Sequence, residues 1–181
     1  MSWDALYELA VGQAGYFSLS QACDVGFSRP RLQYHLKTRK LERAHRGVFR
    51  LKHYPPSPLE EYVVLWLWSG REGTFSHETA LLFHELSDVL PAKIHLTVPM
   101  AWKQRRLKVP AGLVLHPAEL KPADRTWAGP VPVTTPMRTL VDAVRDGVSP
   151  ELVSQARRQA RARGLLTTQE VVSLSKYKAR Q

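Results

Sequence analysis

Cysteine is almost absent: Cys23 is the only one in 181 residues. No disulfide framework can be built within the chain, and a reducing compartment fits that usage. Long apolar runs are missing too. The longest, Tyr62 to Trp68, is far too short to span a bilayer. The N-terminus lacks a basic region followed by an apolar one, so no signal peptide is expected and the chain is expected to be cytoplasmic, without a membrane partner. Acid is scarce, with 16 Asp and Glu against 26 Lys and Arg, a net charge of +10.

Catalytic signatures are also wanting. There is no Gly-rich phosphate loop, no Gly-x-Ser-x-Gly, and no pairing of Cys23 with a base. The acids beyond residue 100 are Glu119, Asp124, Asp142, Asp146, Glu151 and Glu170, and none stands in a Glu-x-Lys context suited to a metal-dependent nuclease. His77-Glu78 and His84-Glu85 invite a zinc-protease reading, but H-E-x-x-H fails at Leu81. His77 and His84 are seven apart and could share a helix face, yet no third ligand is placed by the sequence. Neither an enzyme nor a metal or cofactor is expected.

What is present is 44% apolar residues, enough for a packed core. The stretch from Ser18 to Leu51 is the most informative. It reads as a short helix, a turn at Gly26, a second helix and a basic hairpin. Cys23 falls in the first of these helices, as an expected small core residue. Ser28 caps the second helix and Pro30 suits its first turn. Leu32 and Leu36 point one face inward. Arg29, Arg31, Gln33, Tyr34, His35, Lys37 and Thr38 are left on the other faces, and these are residue types that meet base edges and phosphates. After Lys40 the period changes to two, with Leu41, Arg43, Val48, Arg50 and Lys52 around the tip His45-Arg46-Gly47. A helix-turn-helix followed by a basic hairpin is a winged helix, whose commonest use is holding duplex DNA.

Charge is uneven along the chain. Residues 27–52 hold nine Lys and Arg against Glu42 alone, a net of +8, whereas residues 57–99 carry a net of −4. A footprint of this kind suits a polyanion.

Further along, Asp4 to Ala14 reads as a first helix ended by Gly15. Pro55, Pro56 and Pro58 forbid a continuing ladder, so the sequence predicts two domains, 1–54 and 58–181. The second reads as helices over 59–69 and 78–86, strands over 93–99, 113–116 and 131–134, and helices over 135–144, 149–163 and from 168. Trp66 and Trp68 read as core anchors. The class is therefore α+β: an N-terminal winged helix-turn-helix and a C-terminal mixed α/β domain, a short sheet packed by helices. Arg157, Arg158 and Arg161 can share a face of one late helix, as a solvated face, a second nucleic-acid contact or a contact with an acidic partner.

Three blocks carry a family resemblance at nearly full length. The first runs from Phe27 to Leu32, through Leu41-Glu42-Arg43, to Arg46-Gly47-Val48-Phe49-Arg50-Leu51. The second is Phe75 to Leu82 followed by Ile94 to Pro99, and the third is Gly129 to Asp142. In this order they resemble the AbiEi-type antitoxins of type IV toxin–antitoxin systems. The resemblance implies a winged helix that binds inverted repeats in its own promoter, and a C-terminal domain needed for antitoxin activity. The toxin it implies is nucleotidyltransferase-like and is opposed without a necessary stable complex. Members often have Gly where Arg39 stands, two residues before the leucine that starts the wing. Arg39 is thus expected in the left-handed region unless the turn differs.

The sequence therefore predicts a DNA-binding antitoxin and autorepressor. The DNA-facing set is Ser28, Arg29, Arg31, Gln33, Tyr34, Lys37, Thr38, Arg43, His45, Arg46 and Arg50. Arg138, Arg157, Arg158 and Arg161 are the candidates for the antitoxin surface. The alternatives are a stand-alone winged-helix regulator and a nucleic-acid-processing enzyme.

Overall fold

The computed structural model describes residues 3–88 and 90–177. The chain divides into two compact units, Met1–Glu72 with Gly129–Val131 and Gly73–Ala128 with Pro132–Gln181. No helix among the described residues is long and apolar enough to cross a membrane.

The first unit contains α1 (Trp3–Val11), β1 (Tyr16–Ser18), α2 (Leu19–Asp24), α3 (Arg29–Lys37), β2 (Leu41–His45), β3 (Val48–Leu51) and α4 (Glu60–Trp68). β3 is the middle strand of an antiparallel sheet ordered β1-β3-β2. Leu6, Phe17, Phe27, Leu32, Leu41 and Phe49 fill the core, and Phe17 stacks on its register partner Phe49 at 5.8 Å. Gly15 ends the first turn with φ +86, and a Cβ there would lie 2.5 Å from Tyr54 Cγ, so both conformation and close approach require glycine. Ser18 and Gln21 form a reciprocal capping box at α2. The Gln21 amide also pairs with that of Gln13 (2.8 and 3.3 Å), satisfying two buried amides.

Three expectations change here. β1 is an additional strand, too short for alternation to reveal. Cys23 is exposed, because its neighbour Ala22 takes the inward position and one residue rotates a helix by about 100°. The break between units falls after Glu72 rather than at the prolines. α4 packs its buried Val63, Leu65, Trp66 and Leu67 with the first unit, where it meets all three strands.

The second unit is built on a mixed sheet ordered β6-β5-β4-β8-β7, from β4 (Thr74–Phe75), β5 (Ile94–Val98), β6 (Leu113–Pro117), β7 (Arg125–Ala128) and β8 (Val131–Thr134). β5 and β6 are parallel, β4 and β8 parallel, and β4 and β5 antiparallel. All four residues of β8 are buried, as suits an inner strand. The helices α5 (His77–Phe83), α6 (Pro136–Arg145), α7 (Pro150–Ala162) and α8 (Thr168–Ser173) gather around Leu81, Leu86, Leu140, Ala156, Ala160 and Leu174. The α+β class holds. β4 and β7 are additional strands, two and four residues long.

Candidate functional site

α3 begins where Ser28 Oγ accepts from the Arg31 backbone N–H at 3.4 Å, with Pro30 in the first turn. Leu32 and His35 are its buried positions, and Leu36 is half-buried. The phase leaves Arg29, Gln33 and Lys37 as one exposed row at i,i+4 spacing, with Tyr34 and Thr38 beside it. Thr38 closes the helix, its Oγ1 donating to Tyr34 O at 3.0 Å. Arg39 then takes φ +56, the left-handed conformation expected of it.

Two members of the anticipated outward set turn inward. His35 packs 4.8 Å from Trp3 and 5.8 Å from Phe27, ring centroid to centroid. Burial first, then Lys40 and Arg31, hold it below its ordinary pKa. Arg31 is half-buried with its guanidinium 4.4 Å over the Phe27 ring.

In the β2–β3 hairpin, Arg46 is exposed beside Gly47, which turns the chain at φ +77. A register shift between Arg43 and His45 bends β2 near the tip. Arg43 is exposed and His45 half-buried. Arg50 departs from the anticipated set. It donates to Glu60 Oε1 at 3.1 Å and to Tyr54 O at 2.9 Å, which commits it to the interior of the unit. Of the anticipated cations, Arg29, Lys37, Arg43 and Arg46 are therefore exposed, with Arg31 partly available; Arg39 and Lys40 are exposed between them.

The anticipated antitoxin arginines also separate. Arg138 Nε donates to both oxygens of Asp142, at 2.9 and 3.0 Å, and its Nη1 donates to Asp124 Oδ2 at 3.1 Å. Asp142 is 5% exposed, so this arginine compensates a buried carboxylate. Arg157 is half-buried. Arg158 and Arg161 are exposed on α7, opposite its inward Val153, Ala156 and Ala160.

The expected sharing of a face by His77 and His84 does not occur. His84 Nε2 donates to Thr134 O at 2.6 Å. His77 instead meets His95 and His116. Each of the three can offer one ring nitrogen, and the three atoms lie within 4.8 Å of one another. The His77 and His116 rings stack at 3.7 Å, and His95 Nδ1 is 2.9 Å from His116 Nε2. Asp146 Oδ2 lies 3.0 Å from His77 Nε2 and 3.1 Å from His116 Nδ1. Ser76 Oγ lies 2.8 Å from His77 Nδ1 and accepts from Thr97 Oγ1 at 2.7 Å.

Of these residues, His77, Thr97, His116 and Asp146 line a cleft of about 140 Å³. Burial, acting against Glu78 and Asp146, holds His95 below its ordinary pKa and favours its neutral, lone-pair-bearing form. Position 95 on β5 and position 116 on β6 share one sheet face, since Thr97 pairs with His116 in the parallel register. Alternation alone marks each position. The pairing of β5 with β6 had no signal in the sequence.

No family model matches the chain, and no curated protein matches it at a significant level. Among solved structures it is similar to the RV2827C protein from Mycobacterium tuberculosis. The identity is 14% and the TM-score 0.49, over 96% of this chain and 80% of that one.

Proposed function

We propose that the first unit is a winged helix that holds duplex DNA, and that the chain is an antitoxin repressing its own operon and opposing a nucleotidyltransferase-like toxin. The observation that carries the DNA-binding part is the exposed row Arg29, Gln33 and Lys37 on a helix preceded by a short helix and followed by a hairpin with Arg46 at its tip. Arg29, Gln33 and Lys37 reach base edges or phosphates if α3 enters the major groove. Arg46 and Arg43 then meet the backbone or the adjacent minor groove.

The antitoxin part rests on the resemblance. Its second and third blocks fall on β4, α5, β5, β8 and α6, whose buried residues form much of the second unit's interior. Arg158 and Arg161 are the exposed arginines that this reading assigns to the effector surface. The test is growth of cells expressing the adjacent nucleotidyltransferase-like gene, with and without this chain. Restored growth with the wild-type chain is expected. Failure to restore growth, or a neighbour of another class, overturns the antitoxin part and leaves the DNA-binding part to be judged by its own titration.

A further inference from the structure

We propose that His77, His95 and His116 form a binding site for one divalent transition-metal ion of the zinc class, with Asp146 at its edge. Three separate elements deliver the imidazoles: the first residue of α5, and the adjacent parallel strands β5 and β6. Their donor atoms converge within 4.8 Å. A tetrahedral ion with bonds of about 2.0–2.1 Å holds its donors roughly 3.3 Å apart. The 2.9 Å between His95 and His116 is a few tenths of an ångström short of that spacing, and the widest donor separation, within 4.8 Å, closes by up to about 1.5 Å as the rings turn onto the ion.

The donor type selects the metal. Imidazole nitrogen suits zinc, copper, nickel or cobalt, whereas magnesium and calcium take oxygen sets. Asp146 lies within 3.1 Å of two of the rings and serves either as a fourth ligand or as the carboxylate that orients them.

Two further features fit a held donor geometry. His77 is 5% exposed and sits at φ +54, in the left-handed region that costs a side chain of its type energy. That conformation turns its ring onto His116 and Asp146. The Thr97–Ser76–His77 hydrogen-bond chain then fixes the ring's orientation from behind. This is the kind of outer support that metal-ligating histidines have. The cleft beside the cluster leaves an entry path.

The test uses the full, tag-free chain, first stripped with chelator and then titrated with Co²⁺ and with Zn²⁺. One ion per chain is expected, with the visible absorption of four-coordinate cobalt, bleached when zinc displaces it. His95→Gln and His116→Gln should each weaken zinc binding at least about tenfold, while His84→Gln leaves it unchanged. Circular dichroism of the metal-free variants checks that they are folded. A reading that needs no variant is the imidazole NMR signals of the unaltered chain: those of His77, His95 and His116 should move on zinc addition, and those of His35 and His84 should not. Absence of saturable binding at one ion per chain overturns the proposal. So does binding that moves the other histidines' signals, or that the two folded variants leave unchanged. Either result makes the cluster a closed hydrogen-bond chain without an ion.

Discussion

Arg50 Nη2 donates to Glu60 Oε1 at 3.1 Å, joining the hairpin strand β3 to the start of α4. The same carboxylate oxygen accepts from the Ser57 backbone N–H at 3.2 Å, and the same guanidinium lies over the Tyr16 ring. Burial of the Tyr16 ring, and then Glu60 beside it, pushes the phenol up to about 12. An arginine in a basic hairpin thus works as an internal tie. Arg50→Ala and Glu60→Gln should each destabilise the chain, and the double variant should lose less than the sum, with a coupling of about 1 kcal/mol. Additive losses in denaturant titrations would show that the two side chains act independently.

Arg46 stands at the hairpin tip and is exposed. Arg46→Ala should weaken binding to all duplexes alike and reduce the slope of log K against log salt by about one unit. A slope equal to that of the wild-type chain would remove the tip from the DNA interface.

Arg31 is held partly by the Phe27 ring, whereas Gln33 stands clear of the surface. Each is expected to contribute about 1–3 kcal/mol of discrimination if it meets a base edge. Titrating Arg31→Ala and Gln33→Ala on operator and random duplexes separates the two. The residue whose loss is confined to the operator reads bases, and equal losses on both duplexes place it on phosphate.

His35 gives the first unit a pH dependence. Its folded pKa is depressed, so the unfolded chain takes up the proton at higher pH than the folded one. Stability therefore rises with pH through this range and is lost as pH falls below about 6.5. Its Nδ1 is buried without a hydrogen-bond partner among the described residues. His35→Phe should hold or raise stability at neutral pH and flatten its dependence between about pH 5 and 7. Parallel curves for the two proteins would contradict the assignment.

Arg138 and Arg158 should behave oppositely. Removing Arg138 leaves Asp142, whose carboxyl burial already pushes up in pKa, without its main partner. Arg138→Leu should cost about 3–5 kcal/mol. Arg158→Glu with Arg161→Glu should leave melting nearly unchanged and remove protection from the toxin. Full protection by that folded double variant would take α7 out of the effector surface.

Local chemistry was legible wherever it was strong. Ser28 and the capping box at Thr167 and Glu170 each satisfy backbone groups within four residues, and Gly47 turns the chain by its own left-handed φ, so they appear in the sequence as they do in the fold. Partner choice was legible only in part. Arg50 read as a surface cation because the acid that holds it, Glu60, lies 10 residues away; for Arg138 the i,i+4 spacing to Asp142 was legible, but the burial of Asp142 and the second acid, Asp124, 14 residues away, were not. His77 read as a companion of His84 on one helix face, but α5 ends at Phe83 and its first residue turns instead toward β5 and β6. The histidine cluster is assembled by strand pairing, which composition and periodicity do not encode.

The DNA-binding claim is tested most directly by titrating the full chain onto a duplex from its own promoter and onto a scrambled duplex of equal length, across a salt series. Binding should be at least about 10³-fold tighter on the promoter at physiological salt, with log K falling linearly in log salt. Equal affinity for the two duplexes, or no salt-dependent binding to either, would contradict the account.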